Sequence, residues 1–185
     1  MFHKYIKLVI AAAIIVWSGF QFFEGNIMNG ISLLLFSGIF IFFYFKNEFI
    51  LLAFLQLRKQ NFEGTKKWLD YIKNPSGALI KKQEGYFNFL HGILLSQTNL
   101  TQAEKHFKKA IDLGLSMDHD LAMAKLQLSG IAMSKNRRQE ATKLMNEAKK
   151  LDTQGMLKDQ IKQMKDQMKK APGMNHHQMR GRVKR

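Results

Sequence analysis

Hydrophobic and polar positions follow two regimes along this chain. Residues 8–23 carry no charged side chain, residues 25–45 carry none either, and Glu24 alone stands between the two runs. As a helix the second run is roughly 30 Å long, the thickness of a bilayer's hydrocarbon core. The first is shorter, but Lys4 and Lys7 can snorkel from its start, and Tyr5, Trp17, Phe22 and Phe23 supply interfacial aromatic mass. Gly25, Asn26, Asn29 and Gly30 lie between the runs and are turn formers suited to a tight link between antiparallel helices. A cleavable signal peptide would share the basic start and apolar centre, yet the chain reads WSGFQFFEGN where a small-x-small cleavage site would stand. The pattern predicts a transmembrane helical hairpin over residues 1–45. Lys4 and Lys7 precede it, no cation lies in its turn, and Lys46, Arg58 and Lys59 follow it, which predicts two spans with both termini and all that follows on the cytoplasmic side.

Past residue 45 the apolar positions take a helical period and then repeat. Leu52, Leu90 and Leu128 are spaced by 38 residues, and so are Thr65, Ala103 and Ala141; Leu69, Phe107 and Met145; and Ile72, Ala110 and Ala148. Four columns with one spacing imply three helical-hairpin units. In the middle unit Phe87, Leu90, His91 and Leu94 share one helical face, and Ala103, Phe107 and Ala110 share the next. The polar turn between them ends at Asn99 and Thr101, either of which can cap the second helix. Leu157, Ile161, Met164 and Met168 then mark one face of a helix over 156–170, fit to cap the open end of a stack. Residues 46–59 hold no Pro or Gly, so the second span is expected to run into the first unit with little break.

These residues resemble the tetratricopeptide repeat (TPR) family. The stretch NLTQAEKHFKKAIDLG carries the family's small, aromatic and small residues at Ala103, Phe107 and Ala110, with Phe87, Leu90 and Leu94 at its upstream positions. The third unit matches at Leu128, Ala132, Ala141, Met145 and Ala148 but has Lys125 where an aromatic is usual. The first keeps Phe62 and replaces small residues by Thr65 and Ile72, while His91 stands where the family has Gly. The period exceeds the family's usual ~34 residues, and the surplus is placed in the loops at 76–79 and 115–118. The resemblance implies an all-α chain: a two-helix transmembrane hairpin (1–45), a TPR-like α-solenoid of about three units with a C-terminal capping helix (46–170), and a basic disordered tail (171–185).

Charge and composition narrow the chemistry. Of the net charge of +15, residues 46–170 contribute +10 and residues 171–185 contribute +4. Such an excess favours solubility and attraction to an anionic leaflet. The tail cations Arg180, Arg182, Lys184 and Arg185 could also meet a phosphate backbone, without interleaved aromatics for base stacking. The absence of cysteine excludes disulfides, thiolate metal sites and a Cys nucleophile. Asp118-His119-Asp120 can be drawn as a metal site but reads more simply as a helix N-cap, and His176-His177 lacks a partner carboxylate. Asn99-Leu100-Thr101 matches a glycosylation sequon and is read as a cap. With no phosphate loop and no arranged acid–base pair, no catalytic residue, cofactor or metal is expected and the chain is not read as an enzyme. Nine of the eleven methionines occur from Met117 onward, where Met145, Met164 and Met168 read as core and Met123 and Met133 as adaptable surface.

The resemblance implies a membrane-anchored scaffold for protein–protein interaction, serving the assembly or stability of a membrane complex. Carried over by repeat position, the family's groove falls on Ile50, Leu51, Phe54 and Leu57, then Asn88, Phe89 and Leu95, then Met123, Leu126, Gln127 and Met133. The family's carboxylate clamp needs cations and Asn where Ile50, Phe54, Phe89, Met123 and Gln127 stand here. An apolar groove in a basic chain implies instead an amphipathic helix or apolar peptide, steered by acidic residues, as the protein partner beside membrane lipid. Internal filling of that groove by the capping helix or by lipid competes with this. Alternatives for the whole chain are a basic tether for ribosome or nucleic acid, and a purely structural subunit of a membrane complex.

Overall fold

The computed structural model describes residues 4–170, which are all-helical; the tail cations and His176-His177 lie outside them. Helices α1 (Lys4–Phe23) and α2 (Ile27–Phe45) pair as a hairpin. Gly25 makes the turn at φ +81°, a left-handed conformation natural to glycine. Small residues let the helices close: Ala11 and Ser18 of α1 and Gly30 and Ser37 of α2 are buried at seven-residue spacing, and the Ser18 hydroxyl donates to the Gly30 carbonyl at 2.7 Å. A Cβ on Gly30 would stand 2.8 Å from the Phe22 ring. The outer faces remain apolar and open, with Val9, Val16, Trp17, Phe20, Leu35 and Phe36 all exposed. Both helices are long and apolar enough to cross a membrane, and only 11% of each candidate span is buried.

α2 does not run on into the next helix. Lys46 and Asn47 are extended, and α3 (Glu48–Arg58) starts afresh. The cause is local capping chemistry: Asn47 Oδ1 accepts from the backbone N–H groups of Phe49 at 3.0 Å and Ile50 at 3.3 Å, and Glu48 sits at the positive end of the new helix. The absence of Pro and Gly did not keep the helix continuous. Its freed carbonyls are taken up from elsewhere: Phe43 O accepts from Lys7 Nζ at 3.2 Å, and Tyr44 O from Gln83 Nε2 at 2.8 Å. Lys7 also pairs with Glu48, and Gln83 Oε1 accepts from Ile80 N. The apolar hairpin is thus tied to the remainder by side chains of α1 and α6.

Three further hairpins follow: α3 with α4 (Phe62–Asp70), α6 (Lys81–Leu95) with α7 (Leu100–Leu113), and α8 (Asp118–Ser134) with α9 (Arg138–Leu151). The 38-residue columns are interior: Thr65, Ala103, Ala141, Leu69, Phe107, Met145, Ile72, Ala110, Ala148, Leu90 and Leu128 are buried and Leu52 half-buried. Asn61 and Asn99, one period apart, cap α4 and α7 by accepting from Gly64 N and Gln102 N. Gln60 and Asn136, two periods apart, both take φ near +60° in their turns. Departures from the pattern are compensated. Thr65 satisfies its buried hydroxyl on Asn61 O at 2.8 Å, Lys125 pairs with Glu147 at 2.6 Å, and His91 stacks on His106 with ring centroids 5.4 Å apart.

The extra residues at 76–79 coincide with a single helical turn, α5 (Pro75–Ala78), capped by Asn74. At 115–118 the chain leaves α7 through Gly114 at φ +87°, whose carbonyl lies 2.5 Å from where a Gly85 Cβ would be. Neighbouring hairpins meet through α3–α6, α4–α6 and α7–α8. Glu104 of α7 fastens the second pair to the third, accepting from Lys135 and Arg137 in the α8–α9 turn at 2.8 Å and from Lys108 at 2.7 Å. Burial pushes its carboxyl up, but these three cations outweigh burial and hold it down at about 2. Helix α10 (Lys158–Lys170) closes the far end, with Leu157, Ile161, Met164 and Met168 packed on Ala122, Leu126, Met145 and Ala148.

Candidate functional site

The position-counted groove residues do not form one continuous surface. Ile50, Leu51 and Phe54 of α3 line a cavity of about 250 Å³ with Lys46, Asn47, Lys82, Gln83, Tyr86, Ser116, Met117 and Asp120. Asn88, Phe89 and Leu126 are not offered to a partner, because the chain's own packing buries them. Phe89 meets Phe107 edge-on with centroids 6.1 Å apart, Asn88 bonds Glu84 O and His106 Nδ1, and Leu126 lies beneath α10. Leu57 and Leu95 are half-buried against the first and second cores, and Met123 joins the second to the third. Gln127 stands in a cleft of about 210 Å³ beside Gln160, Gln163 and Gln167, and Met133 in one of about 350 Å³ with Met145 and Met168. Helix α10 lines both of these clefts, so Gln127 and Met133 stand on surfaces that the capping helix helps to form.

The cavity forms where three first helices converge beside the end of α2. α3 gives an apolar wall because Ile50, Leu51 and Phe54 recur at helical spacing, and Phe54 reaches both the first and second cores. The opposite wall is Tyr86, whose hydroxyl donates to Asp120 Oδ2 at 2.7 Å. Burial, then the adjacent Asp120 carboxylate, raises the Tyr86 phenol well above its ordinary value, so it serves as a neutral donor. Met117, at 58% exposure, stands at the mouth, as do the exposed Lys46, Leu51 and Lys82. The expected N-cap role of Asp118 or Asp120 is replaced: Met117 occupies the cap, both acids lie in the first turn of α8, and Asp120 turns inward to Tyr86. That turn still suits carboxylates through the helix dipole.

The sequence reading missed Lys46, Asn47, Lys82, Gln83, Tyr86, Ser116, Met117 and Asp120 as parts of one site. Tyr86 and Asp120 are 34 residues apart, off the 38-residue period, so no column joined them. Asn47 before an acidic residue and an apolar run was a readable cap signal. Chemically the cavity offers apolar walls, a rim of two ammonium groups and a carboxylate already engaged by a phenol. That arrangement suits one large apolar side chain flanked by an acid. Among the described residues no cluster of three or more His, Asp or Glu side chains could hold a metal. No family model, curated protein or solved structure matches the chain.

Proposed function

We propose that this chain is a membrane-anchored scaffold: α1 and α2 cross a bilayer, and the TPR-like hairpins behind them hold a protein partner at the cytoplasmic face, in the assembly or stability of a membrane complex. The observation that carries this reading is the cavity between α3, α6 and α8, open and apolar beside the end of α2. It takes an apolar side chain of an amphipathic helix, and Lys46 and Lys82 meet acidic residues next to it. Two further facts support the anchor. The flanks of α1 and α2 are apolar and exposed, the reverse of a soluble core helix, and Lys7 touches α2's last turn, so the start of α1 and the end of α2 share one side. The lysine bias at that end assigns it to the cytoplasm.

The test is a photo-crosslinking residue placed at Leu51 or Met117 in cells, with Asn146 as a control position. One adduct from the cavity positions, lost on Phe54→Glu while the chain stays in the membrane fraction, is the expected result. Equal adducts from Asn146 would refute the cavity as the working surface. An interaction that instead disappears steeply with salt would assign the partner to phosphate groups and the basic tail.

A further inference from the structure

An aromatic cluster sits beside the same junction of α2 and α3. Phe49 stacks on Tyr71 with ring centroids 5.6 Å apart and planes at 23°, and Trp68 stands 6.2 Å from Phe49 and 5.7 Å from Tyr71. Phe49 and Trp68 rest on the first core, whereas Tyr71 remains 49% exposed. The position of the cluster is fixed by the junction. Phe49 lies in the first turn of α3, beside Asn47 and next to Glu48, which holds Lys7. The chain returns to this level at Gln83, which bonds Tyr44 O at the end of α2. Exposed Lys73 and Lys81 lie along the same segments, together with Lys46 and Lys82 of the cavity rim, and the acids beside them are Asp70 and Glu48, the latter paired with Lys7. Trp and Tyr combine an apolar body with a polar tip and collect at the headgroup layer, and lysines beside them are drawn to anionic lipid.

We propose that the first helical hairpin seats on the leaflet it emerges from, with Phe49, Trp68 and Tyr71 entering the headgroup layer of an anionic lipid surface. This rests on the reading that α1 and α2 cross the bilayer. The seat is continuous with the spans, because Lys7, Asn47 and Gln83 tie the end of α2 to α3 and α6. It also sets the height of the cavity, holding its mouth at the surface, where a helix of another membrane protein would approach.

The chain has two tryptophans, Trp17 in α1 and Trp68, so each can be observed alone. Full-length Trp17→Phe, reconstituted in phosphatidylcholine–phosphatidylglycerol vesicles, leaves Trp68 as the reporter; Trp17 is exposed on α1, so the substitution spares the packing. Bromines placed shallow in the acyl chains should quench Trp68 and shift its emission to the blue, and aqueous iodide should quench it poorly. Quenching should weaken in pure phosphatidylcholine and in Lys73→Glu with Lys82→Glu. The companion Trp68→Phe reports Trp17, which should be quenched by deeply placed bromines. Trp17 quenched by lipid with Trp68 open to iodide overturns the seat and leaves the spans intact. Trp17 untouched by any bromine overturns the spans and the seat together, and equal Trp68 quenching in neutral lipid removes the lysines from the proposal.

Discussion

Phe107 is the side chain on which the repeat register can be tested most sharply. It is fully buried between α6 and α7, packs edge-on against Phe89, and its ring lies over Gly92, where a Cβ would come within 2.8 Å of two ring carbons. Burying a phenyl ring removes about 150–250 Å² from water, at about 25 cal/mol per Å², which gives about 4–6 kcal/mol. A compact unfolded chain already hides part of that area, lowering it by roughly 10–40%, while the edge contact adds about 0.5–1.5 kcal/mol. Phe107→Ala should therefore cost about 4 kcal/mol, a large share of the roughly 5–15 kcal/mol that holds an ordinary domain. Phe107→Leu should cost only about 1 kcal/mol. The geometry also fixes a coupling. Gly92→Ala alone collides with the ring and should cost about 1–3 kcal/mol, but in Phe107→Ala the new methyl fills vacated space and helix propensity makes it stabilising by up to about 1 kcal/mol. Urea unfolding in detergent micelles, followed by far-ultraviolet circular dichroism, reads these values, since apolar helices stay folded in the micelle and the transition reports the rest. Additive behaviour of the two substitutions, or equal costs for Leu and Ala at Phe107, would refute this packing.

Two further outcomes follow from polar groups. Burial, then the charge of His106, lowers the His91 imidazole to about 4, and burial lowers His106 in the same direction. An unfolded chain takes up a proton near pH 6.5, so the contribution of His91 is whole above that value and declines as pH falls towards about 4; the melting temperature should drop between about pH 7 and about pH 5, and His91→Gln should lessen the drop, an unchanged drop refuting the assignment. Gln83→Leu keeps the volume but removes the link to Tyr44 O and Ile80 N, at about 1–3 kcal/mol locally. Spin labels at Met28 and Asn146 should show a broadened distance distribution with helicity retained, and an unaltered distribution would mean that the Lys7 and Asn47 contacts suffice.

What could be read from the sequence was whatever depends on neighbours along the chain. The two uncharged runs, the glycine turn at Gly25, the Asn99 cap and the 38-residue columns are periodic or local features, so the helices and the buried positions of each pair were legible without coordinates. The Asn47 cap was legible too, but the absence of helix breakers carried more weight than a strong cap signal, and the wrong one prevailed. Tertiary structure alone decided which apolar residues remained open. Phe89 and Leu51 look alike as groove candidates, yet Phe89 is enclosed by Phe107 while Leu51 stays 43% exposed, because the angle at which one helix pair leans on the next is written in no single segment. Contacts that join distant segments, such as Tyr86 with Asp120, Glu104 with Arg137 and Gln83 with Tyr44, likewise have no local signature, since each depends on how far whole helices are translated past one another. Local rules made the helices and chose their buried faces, and only the packing of those faces determined where a cavity was left.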